Sequence, residues 1–257
     1  VKTLSFDQYW ILVILALSRS IAFIYFLPFF KNPGIQNLPK ITISLGLAVF
    51  VAYRMEPVQI QNIWHFAGLI LLEFIVGLIL AYIVEMMVSA VRIAGSYIDM
   101  DIGLANPFAD MNNTQTTIVS TLFYSMFVLI FLVLDGFNQM FAGFIYSFGL
   151  DISGQFLTGG KVLNFILETF THMFFSALQI ALPFMMATFL VNLALLLMSK
   201  TVDKINILMN VFGIKILVGL CLIFIAIPTL TIVFQQLNEG LMEHFMDVMK
   251  LMFESKT

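Results

Sequence analysis

The stretch "GLILLEFIVGLILAYIVEMMV", from Gly68 to Val88, is long enough to cross a bilayer as one helix. A hydrocarbon core of about 30 Å takes about 20 apolar residues. Yet Glu73 and Glu85 lie inside it, and Ser89, Arg92, Ser96 and Asp99 follow. A charged side chain at mid-bilayer costs roughly 2.5–3.5 kcal/mol on insertion scales, so such groups turn toward protein or water rather than lipid. The composition is 61% hydrophobic and 11% charged, whereas a soluble domain is about half apolar and about one-quarter charged. A soluble fold of 257 residues has no interior large enough for that much apolar surface, and the chain reads as an integral membrane protein.

Apolar runs predict helices over 10–30, 41–55, 63–99, 117–148, 165–199 and 209–236. The second is short for a span, and the fourth is interrupted at Asp135-Gly136 and reads as two pieces. Pro183 and Pro228 fall inside the fifth and sixth, where a missing backbone donor kinks a helix. The expected class is all-α: a polytopic membrane protein of kinked helical hairpins packed on protein as much as on lipid. The first run is too long for a signal sequence and has no small-residue cleavage pattern after it, so it is expected to be retained.

"KNPGIQNLPK" at 31–40 and the Gly-rich "FGLDISGQFLTGGK" at 148–161 separate helices, and the second predicts a boundary between an N-terminal region, residues 1–160, and a C-terminal region, residues 161–257. "SKTVDKIN" at 199–206 turns the last hairpin. Lys200 and Lys204 with nearby Lys215, against Asp203, place that turn in the cytoplasm by the positive-inside bias. In the tail "LMEHFMDVMKLMFE", Leu241, Phe245, Val248 and Met252 share one face, and Glu243, Asp247, Lys250 and Glu254 another. This reads as a separate amphipathic helix, packed on the protein, lying at the membrane surface, or offering a face to a partner.

Glu85, Ser89, Arg92, Ser96 and Asp99 lie within roughly 40° of one line on a helix. Charges seven residues apart are about 10 Å apart along the axis and cannot bond directly. This polar stripe is either a buried seam satisfied within the chain, a hydrophilic lining, or an ion-pair seam between subunits. Arg19, between Ser18 and Ser20 in the first helix, is expected to pair with Glu73 or Glu85. Asp135 marks a helix break rather than a site.

Several chemistries lack their residues. There is no basic run for nucleic acid, no phosphate-binding Gly-rich Lys motif, and no H-E-x-x-H among the three His. "AGSYIDMDIG" offers a Ser and two Asp near a membrane helix, but the G-x-G-D motif of an intramembrane aspartyl protease is missing, and Ser96 reads as mid-helix rather than on a strained turn. The single Cys221 forms no disulfide within the chain. No enzyme activity, cofactor or metal is expected.

One loop stands out. "DIGLANPFADMNNTQTT", 101–117, is longer than a tight turn needs, and mixes bulky Phe108 and Met111 with uncharged polar residues. As a plain connection it would cap the next helix with Asn113 or Thr114.

The chain resembles the FliR family of flagellar and injectisome export-gate proteins over nearly its whole length. The resemblance rests on "LSRSIAFIYFLPFF" with Arg19 and Pro28, "LLEFIVGLILAYIVE" with Glu73 and Gly77, and "VRIAGSYIDMDIGLA" with Gly95, Asp99 and Gly103. "LVLDGFNQMFAGFIYSF", "IALPFMMATFLVNLALLLMSK" and "INILMNVFGIKILVGL" extend it. The resemblance implies a non-enzymatic core subunit of the type III export gate, within a cone-shaped helical assembly with FliP-like, FliQ-like and FlhB-like subunits, in the bacterial cytoplasmic (inner) membrane at the flagellar basal body. Residues 1–160 would be FliP-like and residues 161–257 FliQ-like. Unfolded protein substrates would pass through the centre, driven by the proton-motive force and a separate ATPase. It also implies that the loop 104–116 plugs the channel, through Leu104, Asn106, Pro107, Phe108, Asp110, Met111, Asn112 and Asn113: bulk to fill a pore, polar and mostly uncharged neighbours to let it move. The alternative is a secondary transporter of a small solute or ion, with the stripe as its pathway, though the inverted repeats of such proteins are not visible.

Overall fold

In the computed structural model, residues 6–31, 34–53, 55, 58, 60, 62–104, 117–149, 160–199 and 207–253 are described. Among them are seven α-helices: α1 Phe6–Phe26, α2 Asn37–Ala52, α3 Ile63–Ile102, α4 Ile118–Val133, α5 Gly136–Tyr146, α6 Lys161–Ser199 and α7 Ile207–Phe253. Short 3₁₀ turns follow α1 (Pro28–Phe30) and α5 (Ser147–Gly149). The described residues contain no strand. Among the described residues, four stretches are long and apolar enough to span a bilayer: Gln8–Phe26, Ile63–Ile102, Lys161–Leu197 and Gly213–Met252. The pair α4 and α5 makes a fifth if counted as one broken span. The protein is an all-α polytopic membrane protein.

The breaks have local causes. Pro28 pushes the residue before it out of helical backbone, and Leu27 is extended at φ −62°, ψ 133°. Asp135 sits at φ 60°, in the left-handed region, which Asp tolerates better than most side chains. Asn138 holds it there, donating to the Asp135 carboxylate at 2.6 Å. The sequence expectation of two pieces on either side of Asp135-Gly136 matches this break.

Pro183 and Pro228 lie inside α6 and α7, where the sequence places them, and neither ends its helix. One expectation differs from the structure. The amphipathic tail is not a separate object but the end of α7, continuous from Ile207 to Phe253. No strong breaker stands between Pro228 and Phe253, so the cooperative ladder simply propagates. Its apolar face is covered: Leu241, Phe245, Val248, Met249 and Met252 are buried.

The chain forms two compact units, with α3, α6 and α7 contributing to both. One comprises residues 1–86, 135–170 and 240–257. Its core is aromatic: Phe23 stacks on Phe144 at 4.1 Å between centroids, Phe144 meets Phe148 edge-on at 5.1 Å, and Phe245 lies against both Phe23 and Gly143. Helices α1 and α3 touch backbone to backbone at Gly77, where a Cβ would fall on the carbonyl oxygen of Arg19 and 3.0 Å from Ala22 Cβ. The other unit comprises 87–134 and 171–239. Here Phe123 contacts both Phe184 and Phe234, and Phe127 contacts Phe234. Gly95 does for α3 and α4 what Gly77 does for α1 and α3, its missing Cβ leaving room for the Ser120 backbone.

These glycines make a prediction. Gly77→Ala would push a methyl into the α1 backbone, which has no flexible end to move aside. It is expected to destabilise by about 1–3 kcal/mol, read as a lower Tm of the purified protein. Gly46→Ala, on α2 with open space around it, is expected to lose nothing, since alanine favours helix.

Candidate functional site

Arg19 lies in the middle of α1 and is 1% exposed. Its Nε donates to Glu73 Oε2 at 2.5 Å. Its Nη1 donates to the Ser147 carbonyl at 2.8 Å and to Ser147 Oγ at 2.9 Å. The guanidinium also lies 4.1 Å from the centroid of the Phe148 ring. One side chain thus joins α1, α3 and the turn after α5. Of the two carboxylates considered from sequence, Glu73 is the partner. Glu85 instead pairs with Lys31 at 3.1 Å, a residue that carries no signal of its own because it stands among loop residues. Ser147 and Phe148, the other half of the Arg19 site, carried no signal beyond lying in a stretch that resembles a family.

The remaining stripe residues sit in the second unit. Ser89 is half-buried. The Arg92 guanidinium lies over the Tyr124 ring at 4.2 Å, and its carbonyl accepts the hydroxyls of Ser96 and Ser120, each at 3.0 Å. Asp99 is completely buried. Its carboxylate accepts the Val119 N–H through both oxygens, at 3.1 and 2.9 Å, and the Ser120 N–H at 3.1 Å. Those are orphan donors of the first turn of α4. Thr117, at the N-cap position, makes no side-chain cap of its own. The cap of α4 therefore comes from another helix, a solution no local pattern announces.

Asp99 acts a second time through its backbone. Gly103 takes φ 84°, turning the chain so that the Leu104 N–H reaches the Asp99 carbonyl at 2.9 Å. This is a left-handed helix end. Leu104 leaves α3, and Thr117 enters α4, from the two sides of one residue. Of the proposed plug residues, Leu104 is half-buried at this junction, whereas Asn106, Pro107, Phe108, Asp110, Met111, Asn112 and Asn113 lie outside the described residues. So do Lys200, Asp203 and Lys204. Lys215 is described, and its Nζ donates to the Asp101 carbonyl at 3.3 Å.

In the same unit, α6 and α7 border a cavity of about 630 Å³, lined by residues that include Gln179, Pro183, Phe184, Thr229 and Gln236, with no ionisable side chain among the described residues of its wall. Among the described residues no three His, Cys, Asp or Glu converge on a point that could hold a metal ion.

A family profile described as "Bacterial export proteins, family 1" matches residues 10–241. The chain belongs to this family. Arg19, Glu73, Asp99 and Lys215 all fall inside the matched region. Curated relatives carry the name flagellar biosynthetic protein FliR. That of Bacillus subtilis is 29% identical over 226 residues, covering 86% of this chain and 87% of the relative. That of Borreliella burgdorferi is 29% identical over 241 residues, covering 91% and 89%. That of Aquifex aeolicus is 26% identical over 254 residues, covering 95% and 93%. The resemblance to the FliR family is thereby established, and export becomes the reading retained over transport of a small solute. The FliR family is one of export-apparatus components rather than a known enzyme family.

Two substitutions test the buried charges. Glu73→Leu leaves the guanidinium uncompensated in an apolar core and is expected to cost about 3–5 kcal/mol. Combined with Arg19→Met the loss should fall well short of the sum of the two single losses, measured as thermal stability of the purified protein. Asp99→Ala removes the cap of α4 and is expected to cost about 2 kcal/mol. Amide exchange at Val119 and Ser120 should rise while that around Arg19 stays unchanged.

Proposed function

We propose that the protein is a core subunit of the bacterial flagellar protein export gate in the cytoplasmic membrane, where it helps form and gate a channel for unfolded export substrates. FliP-like, FliQ-like and FlhB-like subunits are its partners, with residues 1–160 FliP-like and residues 161–257 FliQ-like. The lipid bilayer covers what these subunits leave bare. The family and the names of its relatives support the flagellar export role.

The gating role is carried by one observation: Asp99 ties both ends of the loop 105–116 to a single buried point. A plug must be held firmly at its root and be bulky at its tip. Asp99 supplies the root, and Phe108 and Met111 supply the bulk. The stripe fits the role of an internal seam, because Glu85, Arg92 and Asp99 each meet a residue from another element. Large exposed apolar side chains along α6 and α7, such as Phe175, Met186, Phe224 and Ile225, suit a subunit covered by lipid and neighbouring helices.

The test is site-specific crosslinking in cells. A photoreactive amino acid at Phe108 or Met111, in the full chain with its partners present, is expected to capture an export substrate stalled in transit, while one at exposed Leu38 on α2 does not. Failure of both loop positions to crosslink, with export intact, overturns the plug reading.

A further inference from the structure

Two residues beyond Asp99 the last turn of α3 makes a second, different junction. Asp101 is half-buried and presents two acceptors to two helices. Its carboxylate takes the hydroxyl of Thr188 on α6. Its carbonyl takes the ammonium of Lys215 on α7. The final carbonyls of a helix lack intrahelical partners and form the negative end of its dipole, so a cation is well placed there. The next residue, Ile102, packs into the space left by Gly219, one turn beyond Lys215; a Cβ at Gly219 would lie 2.5 Å from Ile102 Cγ2.

The two aspartates differ in what happens when a contact breaks. Asp99 is fully buried and holds backbone N–H groups at the start of α4. Pulling it away strands a buried carboxylate, which is costly. Thr188 has one hydroxyl hydrogen and three acceptors within reach: the Asp101 carboxylate and, on its own helix, the carbonyls of Phe184 and Met185, each at 3.0 Å. When Asp101 withdraws, the hydroxyl falls back on its own helix, and no buried donor is orphaned. Asp101, half-buried, can exchange the hydroxyl for water. Asp99 is a fixed joint; Asp101 is a contact that either side can leave.

We infer that Asp101, Thr188 and Lys215 form a releasable latch between the end of α3 and helices α6 and α7, which sets how far Leu104 can swing about the fixed joint at Asp99. Its consequence for export rests on the plug reading above. Closed, the latch holds the exit of α3 against α6 and α7, so movements of those helices are transmitted to Leu104. Open, it uncouples them and leaves Leu104 held through Asp99 alone.

The experiment has two arms on the full chain in its membrane complex. In the first, amide hydrogen exchange is followed in the solubilised complex for Thr188→Val, Lys215→Gln and the conservative control Thr188→Ser. Exchange at residues 102–104 is expected to rise about ten-fold in the first two and to remain as in the parent protein in the control, with Val119 and Ser120 unaffected in all three. No change at 102–104, or an equal rise at Val119 and Ser120, overturns the latch. Should Thr188→Val fail to accumulate in the membrane, Lys215→Gln carries the same comparison. In the second arm, ion leak through the membrane is measured in cells for Thr188→Val, for a deletion of residues 105–116, and for both together. The deletion is expected to leak, Thr188→Val to leak less, and the combination to match the deletion. A deletion that does not leak overturns the plug reading while the exchange result still supports the latch. A leaking deletion beside a tight Thr188→Val overturns the latch as a control on the gate.

Discussion

A carboxylate in an apolar interior is tolerable only if hydrogen-bond donors replace the water it lost. Asp99 meets that demand with backbone N–H groups, the donors most firmly fixed in space. The same requirement works in reverse: the first turn of α4 has orphan donors, and its own N-terminal residue, Thr117, leaves them unfilled. Each side removes the other's penalty. The contact therefore sets the register of α3 against α4, and the close approach at Gly95 makes that register tight.

Arg19 applies the same logic with opposite sign. A buried guanidinium brings five donors, and here Glu73 and the Ser147 carbonyl and hydroxyl accept three hydrogen bonds from it while the Phe148 ring lies against its face. Such a group specifies more than it stabilises, since an apolar replacement of the whole cluster could be equally stable. In a membrane protein whose helices otherwise present similar apolar surfaces to one another, specification matters: leucine and phenylalanine alone do not say which helix should sit beside which, or at what height.

Which of these features could be read in advance follows from their range. The helices were legible because apolar runs of the right length admit few other structures in a membrane. The break at Asp135-Gly136 and the stop at Pro28 were legible because backbone chemistry acts locally. That Arg19 needs an acid was legible, but Glu73 and Glu85 were equal candidates by residue type. The choice was made by the contact at Gly77, one turn beyond Glu73, which fixes the level at which α1 crosses α3. Lys31, Thr188 and Tyr124 were not legible as partners at all, since each is ordinary in its own segment and acquires a role only from a residue distant in the chain. The continuity of α7 was missed for another reason: its amphipathic end changes in pattern from the apolar stretch before it, but a change in surface pattern is not a change in backbone.

The sequence by itself determined that this chain lies in a membrane, that it is helical, where most of its helices lie, and that its charges must be hidden from lipid. Those are consequences of transfer energies and backbone preferences, which belong to each residue and its near neighbours. The tertiary structure decided the partners: Glu73 for Arg19, Lys31 for Glu85, the α4 amides for Asp99, and Thr188 and Lys215 for Asp101. Pairing depends on how closely two helix backbones approach and at what height, and at Gly77, Gly95 and Gly219 that is settled by an absent side chain whose meaning appears only when the opposing helix is in place.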